Sequence, residues 1–263
     1  MKKVYLNAGH GGSNPGAVGY LIEKDINLKM ALACKSYLES MGVEVKISRT
    51  EDKDMNLTNV INECNAYNPD VAVDCHNNAG NGNGFEVYHS IFGEAGKILA
   101  RNIEAEVIKI GQNSRGLKTR VGSSGRDYFG FIRGTVCPAV ICEGVFVDNE
   151  EDYKLASTDE GCEAFGIAYA KGILKTLGVE DRGENTVDIP TEPEKPAVGG
   201  YLVKVTATAL NIRSGAGLNY KVTGMITDKG VYTIMEAREK DGYNWGRLKS
   251  GAGWIALEYT KPI

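Results

Sequence analysis

Val4-Tyr5-Leu6-Asn7-Ala8-Gly9-His10-Gly11-Gly12 is a short apolar run that ends on a histidine set among glycines. Its length and composition predict a strand, and the glycines mark its end. Outward from it the pattern alternates. Residues 23–41 place Ile26, Met30, Ala33, Tyr37 and Met41 along one helical face, and Gly42 ends the run. Residues 43–48 turn Val43, Val45 and Ile47 to one side as a strand. A helix follows over 57–67 and stops before Pro69, and Val71-Ala72-Val73-Asp74-Cys75 reads as the next strand. Phe85-Glu86-Val87-Tyr88-His89 is a further strand, reached through the glycine-rich Gly80-Asn81-Gly82-Asn83-Gly84, which reads as a flexible rim. Residues 95–110 carry Leu99, Ile103, Val107 and Ile110 at helical spacing. Ala139-Val140-Ile141-Cys142 is continuously apolar, as in a strand covered on both faces. A last helix over 159–177 carries Phe165, Tyr169 and Ile173. The alternation predicts an α/β domain over residues 1–178, with a mostly parallel twisted sheet flanked by helices.

The pattern changes after that domain. Residues 179–200 hold Pro190, Pro193, Pro196 and six acidic residues without a large apolar cluster, which predicts an extended linker. Residues 201–263 contain short β-rich runs between glycine turns and predict a small β-barrel. This last segment has 9 Lys and Arg against 5 Asp and Glu, on a chain of net charge -4. A basic module of this kind favours an anionic surface. The modest overall charge gives no argument for nucleic acid, and no window has the length of a membrane span. Met1-Lys2-Lys3 leads directly into the first strand without an apolar leader region, so the reading places synthesis in the cytoplasm without a signal peptide. The six cysteines are scattered, with no CxxC pair, and are read as free, mostly buried thiols. Cys75 and Cys142 each precede a candidate site residue, and strand alternation turns both away from that site.

Four residues carry the chemistry. His10 and His76 are two of only three histidines in 263 residues. Each closes a strand, Glu143 follows the late apolar strand, and Glu23 starts the first helix across the His10 loop. In open α/β sheets, ligand sites lie beyond the carboxyl ends of the strands, where these loops converge. Two histidines and a carboxylate form a catalytic zinc set that leaves a fourth position open. A second carboxylate that does not bind the metal then handles the proton of water, the role assigned to Glu143. Each residue taken singly also has a structural reading: loop histidines, a first-turn acid favouring the helix dipole, a carboxylate in need of a partner. Asn27, one turn after Glu23, is a candidate to orient it. Arg133 is a candidate substrate contact or, equally, a structural ion-pair member. His89 reads as a surface histidine.

Residues 3–175 resemble the zinc-dependent N-acetylmuramoyl-L-alanine amidase family of bacterial autolysins and phage endolysins. Four stretches carry the likeness: Asn7-Ala8-Gly9-His10-Gly11-Gly12 with Asn14-Pro15-Gly16-Ala17; Glu23 followed by Asn27; Asp74-Cys75-His76-Asn77-Asn78-Ala79; and Pro138 through Asn149 around Glu143. Arg115-Gly116-Leu117-Lys118 and Phe131-Ile132-Arg133 resemble further landmarks between them. The resemblance implies zinc on His10, Glu23 and His76, with Glu143 as catalytic carboxylate. It also implies cleavage of the amide between N-acetylmuramic acid and L-alanine of the stem peptide. Asp74-Cys75 stands where the family more often has small or apolar residues, and Gly144-Val145 replaces a more usual small-Gly order. Leu210-Asn211-Ile212-Arg213-Ser214-Gly215-Ala216-Gly217, Trp245-Gly246-Arg247-Leu248 and Gly253-Trp254-Ile255 resemble bacterial SH3 (SH3b) domains, which implies a module bound to Gram-positive peptidoglycan. The two tryptophans are read as barrel core. Together these readings predict a phage-type endolysin or autolysin that acts on the cell wall after release. A zinc peptidase cutting within the stem peptide, and a wall-binding adaptor without turnover, are the alternatives.

Overall fold

The protein is described by a computed structural model over residues 1–183, 201–218, 220–240 and 242–263. Its contacts divide it into two compact units, Met1–Thr186 and Val187–Ile263. The first unit runs β1 (Lys3–Ala8), α1 (Glu23–Ser40), β2 (Glu44–Ile47), α2 (Leu57–Tyr67), β3 (Val71–Asn78), β4 (Phe85–His89), α3 (Ala95–Lys109), β5 (Ser114–Lys118), α4 (Gly130–Gly134), β6 (Ala139–Phe146), α5 (Glu150–Ala156) and α6 (Asp159–Leu177). Local chemistry sets several ends. The Thr158 side chain caps α6 at Gly161 N–H, Asp159 and Glu160 fill its first turn, and Gly178 closes it in the left-handed region.

The six strands lie in the order β2-β1-β3-β6-β4-β5. Four pairings are parallel (β1 with β2, β1 with β3, β3 with β6, β4 with β5). β4 runs antiparallel to β6, so the sheet is mixed. The cause is the short connection over 79–84, which holds no helix and returns the chain into the sheet from the end it has just left. One sheet face packs Val4, Leu6, Val73, Cys75, Val140 and Cys142 under α1, α3 and α6. The other packs Tyr5, Ala72, Ala139 and Ile141 under α2 and α4. Cys75 and Cys142 thus lie on the face away from His76 and Glu143. All six cysteines are free and only Cys137 is not fully buried.

Three expectations change. β3 and β6 run on past their apolar cores to Asn78 and Phe146, so His76 and Glu143 lie inside strands. His89 is buried, not a surface residue, and its Nδ1 lies 2.8 Å from the Ser90 carbonyl. The Gly80–Gly84 segment is pinned: Gly80 and Asn81 N–H groups donate to Asp148, and Asn83 and Gly84 donate to Asp152. Asp152 is fully buried and also accepts from Gln112 and Phe146 N–H. This one carboxylate joins the rim, β6 and the approach to β5.

The linker predicted over 179–200 lies outside the described residues from 184 onward. Its first residues still belong to the first unit, since Val179 packs on the core and Tyr37 donates to Asp181. The second unit is an antiparallel sheet of β7 (Tyr201–Val205), β8 (Leu210–Arg213), β9 (Val222–Ile226), β10 (Val231–Lys240), β11 (Tyr243–Leu248), β12 (Trp254–Ala256) and β13 (Thr260–Pro262), ordered β13-β7-β10-β11-β12-β8-β9. Val203, Ile226, Ile234, Leu248 and Ile255 form its core. Trp245 and Trp254 are buried with Ala216 and Ala256. Among the described residues, no helix is long and apolar enough to cross a membrane.

Candidate metal centre

The site is assembled at the carboxyl ends of β1, β3 and β6. The chain leaves β1 through Gly9 and enters His10 with φ 61°, a left-handed conformation rare for a residue with a β-carbon. The loop is held from below by Arg49, which is 1% exposed. Arg49 donates from Nε to the Ala8 carbonyl and from Nη2 to the carbonyls of Gly9 and Lys24. One buried guanidinium therefore fixes both the His10 loop and the first turn of α1. Gly9 is required here because a β-carbon would strike the His76 ring.

Glu23, 3% exposed, occupies the first position of α1. The positive end of the helix dipole favours its charge. Its Oε2 lies 3.2 Å from His10 Nε2, and its Oε1 lies 2.9 Å from His76 Nδ1. Ala17 N–H donates to Oε2 and Asn77 N–H to Oε1. The His10 and His76 rings stand edge to face with centroids 4.9 Å apart. Asn27 is wholly buried and donates to the Gly9 carbonyl at 2.9 Å and to Glu23 Oε1 at 3.4 Å. Asn77 donates to Asn27 Oδ1 and accepts from Val145 N–H. The two asparagines fix Glu23 to the His10 loop and to β6.

His76 is held from its other nitrogen. Nε2 lies 3.3 Å from Asp74 Oδ1, and Asp74 in turn accepts from Asn7 Nδ2 at 2.6 Å. Glu143 is the direct register partner of His76 between β3 and β6. Among the described residues, none donates a hydrogen bond to its carboxylate.

The electrostatics call for a cation. For Glu23, burial alone would raise the carboxyl, but hydrogen bonds from His10 and His76 hold it far below the usual carboxylate range. For His76, burial opposes the charged form, but Asp74, Glu23 and Glu143 outweigh it and push the imidazole well above its ordinary value. For Glu143, burial dominates. Against the lowering effect of His76, it raises the carboxyl to about 7, with Glu23, Asp74 and Glu86 adding to the rise. Positive charge is thus stabilised where the three ligand candidates converge, whether carried by a proton or by a metal ion.

The three donors fit zinc. One atom from each of His10, Glu23 and His76 lies within 4.8 Å of the others. Tetrahedral zinc with ligands near 2.0–2.1 Å places neighbouring donors about 3.3 Å apart, and each histidine has one of the two Glu23 oxygens near that distance, Oε2 for His10 and Oε1 for His76. Two imidazoles and one carboxylate leave a position open, as in catalytic zinc sites.

The structure thus brings together His10, Glu23, His76 and Glu143, with Asn27 behind them. Arg133 does not join them: its Nη1 donates to the carbonyls of Asp127 and Tyr128 and clamps that turn. Sequence reasoning missed Arg49, Asn77 and Glu86 as parts of the site. Strand alternation could have shown that Asp74 shares the face of His76.

Residues 4–175 match the family model described as N-acetylmuramoyl-L-alanine amidase, Amidase_3. The chain is 33% identical over 264 residues to the endolysin of Bacillus phage SPP1, covering 95% of this chain and 94% of that protein. It is 30% identical over 215 residues to the sporulation-specific N-acetylmuramoyl-L-alanine amidase of Bacillus subtilis, covering 80% and 79%. Among solved structures, the catalytic domain of CwlV, an amidase of the same name from Bacillus (Paenibacillus) polymyxa var. colistinus, superposes with a TM-score of 0.61 at 29% identity, covering 68% of this chain and 100% of that one. The chain therefore belongs to the N-acetylmuramoyl-L-alanine amidase family.

Proposed function

We propose that this peptidoglycan amidase works with a zinc ion held by His10, Glu23 and His76, and with Glu143 as its proton-transfer group. The observation that carries this reading is the convergence of the three donors, with Glu143 in register beside His76. Zinc bound there supplies Lewis acidity, which makes water a better nucleophile and polarises a carbonyl. Glu143 takes a proton from the attacking water as the new C–O bond forms. It then passes that proton to the L-alanine nitrogen as the C–N bond breaks. Burial and the neighbouring carboxylates raise this carboxyl in the metal-free fold, the direction that favours accepting a proton. Asp74 and Asn27 hold His76 and Glu23 in place rather than touching substrate.

The proposal extends to the whole chain. Residues 1–178 are the catalytic domain, 179–200 an acidic linker, and 201–263 an SH3b module that binds the Gram-positive wall. The second unit's antiparallel sheet, buried tryptophans and basic balance support that assignment. The reading includes an endolysin or autolysin role, with synthesis in the cytoplasm and action on the wall after release. The test is digestion of purified walls, with the new ends assigned by mass spectrometry. Free muramic lactyl carboxylates together with L-alanine amino termini are expected. New amino termini within the stem peptide would replace this reading with a peptidase.

A further inference from the structure

Glu143 is surrounded by carboxylates. Glu23 and Asp74 stand on its β3 side, and Glu86 faces it directly across the β4–β6 pair. Directly paired residues project from the same sheet face, so Glu86 shares the face of Glu143 and His76. Glu86 is 6% exposed and binds Arg115 Nε through Oε1 at 2.7 Å. Arg115 belongs to β5, at the sheet edge, yet its guanidinium reaches back across β4. It lies 5.0 Å from the centre of the Phe146 ring on β6. A register shift between His76 and Asn78 pairs Phe146 with Asn78 and puts its ring on the site face as well. Asn78 in turn donates to Glu86 Oε2 at 3.4 Å. The Arg115 side chain remains 40% exposed, and among the described residues nothing accepts a hydrogen bond from its two terminal nitrogens.

A guanidinium oriented through Nε, backed by a ring and open at both terminal nitrogens presents a two-pronged donor to an oxyanion. The substrate's chemistry says which oxyanion. The glycan side of the scissile amide offers neutral hydroxyl and acetamide groups, because the lactyl carboxyl is consumed in the bond being cut. Free carboxylates belong to the peptide side. The carboxylates lining this face repel such a group, so a cation must receive it.

Distance agrees with this assignment. Phe146 pairs two β3 residues beyond His76, which is about 7 Å along the strand. A carboxylate on the residue after L-alanine lies roughly two residue lengths, about 7 Å, from the scissile carbon.

We propose that Arg115, oriented by Glu86 and backed by Phe146, receives a carboxylate on the stem-peptide residue that follows L-alanine. It sets a preference for substrates in which that group is free over those in which it is a carboxamide. This rests on the proposed role of Glu143 at the reacting bond.

The test uses the full-length, metal-loaded protein and two synthetic muramoyl-L-alanyl peptides that differ only in carboxylate or carboxamide at that position. Their kcat/KM ratio, taken on one preparation, cancels any inactive fraction. Wild type is expected to prefer the carboxylate by about 10- to 100-fold, as for charge-assisted hydrogen bonds. Arg115→Gln is expected to bring the ratio close to 1, by losing activity on the carboxylate substrate alone. Arg115→Lys keeps a charge for Glu86 without the planar fork and is expected to fall between. A flat ratio in wild type, an unchanged ratio in Arg115→Gln, or equal loss on both substrates overturns the proposal, the last by showing a structural ion pair. Glu143→Gln separates the two readings. If it abolishes both cleavages while the wild-type ratio is flat, only the Arg115 assignment fails. If it leaves both intact, the catalytic reading fails and this one with it.

Discussion

His76 and Glu143 are direct partners in the parallel β3–β6 register, so one strand pair carries both a metal-ligand candidate and the proposed proton-transfer group. The two roles separate under mutation. Glu143→Gln is expected to lower kcat on soluble wall fragments by about 10²- to 10⁴-fold, the usual worth of a positioned acid–base group. Its zinc affinity is expected to stay at the wild-type level. Initial-rate assays and zinc titration check both halves.

The same carboxyl makes a prediction about pH. Burial raises Glu143 from 4.5 in the open chain to about 7 in the fold. A carboxyl raised on folding costs nothing while protonated in both states. The cost grows from about pH 4.5 and is complete above about pH 7. In metal-free protein, Glu143→Gln is therefore expected to gain on wild type across that window, by on the order of 3 kcal/mol. Denaturant unfolding of both proteins at the two ends of the window measures it. A pH-independent difference would contradict the assignment.

Asp74 gives a separate prediction, because its contact with His76 is to the far nitrogen, while Asn7 holds the carboxylate from behind. Asp74→Asn keeps the volume but removes the charge that orients the ring. Zinc affinity is expected to fall about 10- to 100-fold with the fold intact, measured by competition with a chromophoric chelator. Unchanged affinity would make Asp74 a bystander.

Asp152 tests the frame rather than the chemistry. Asp152→Ala strips the partner from donors on Asn83, Gly84, Gln112 and Phe146. The expected cost is on the order of 3 kcal/mol or more, read as a lower unfolding midpoint of the first unit.

Much of this architecture was legible in the sequence because hydrophobic period and glycine breaks report strands and helices directly. Helices α2 and α6 and strand β4 match their predicted limits. The four candidate residues could be picked out together because the carboxyl ends of neighbouring strands converge at one edge of the sheet. What was not legible is long-range or polar. The reversal of β4 depends on where a short loop returns the chain, which no local period encodes. The tails of β3 and β6 are Asn77-Asn78 and Gly144 through Phe146, and only the first is wholly polar. Both are held as strands by pairing with each other, not by their own apolar pattern. β5 was missed because Ser114-Arg115-Gly116-Leu117-Lys118 has little apolar alternation. Arg49 follows an ordinary strand and reveals its clamp only when four backbone carbonyls, those of Ala8, Gly9, Lys24 and Glu51, meet around it.

Metal content is the most direct test of the central claim that His10, Glu23 and His76 hold zinc. Elemental analysis by inductively coupled plasma mass spectrometry should be run on wild type, Glu143→Gln and His76→Ala after zinc loading and desalting. One zinc per chain is expected in wild type and in Glu143→Gln, and close to none in His76→Ala. A wild-type chain that retains no zinc, or a His76→Ala chain that retains a full equivalent, would contradict it.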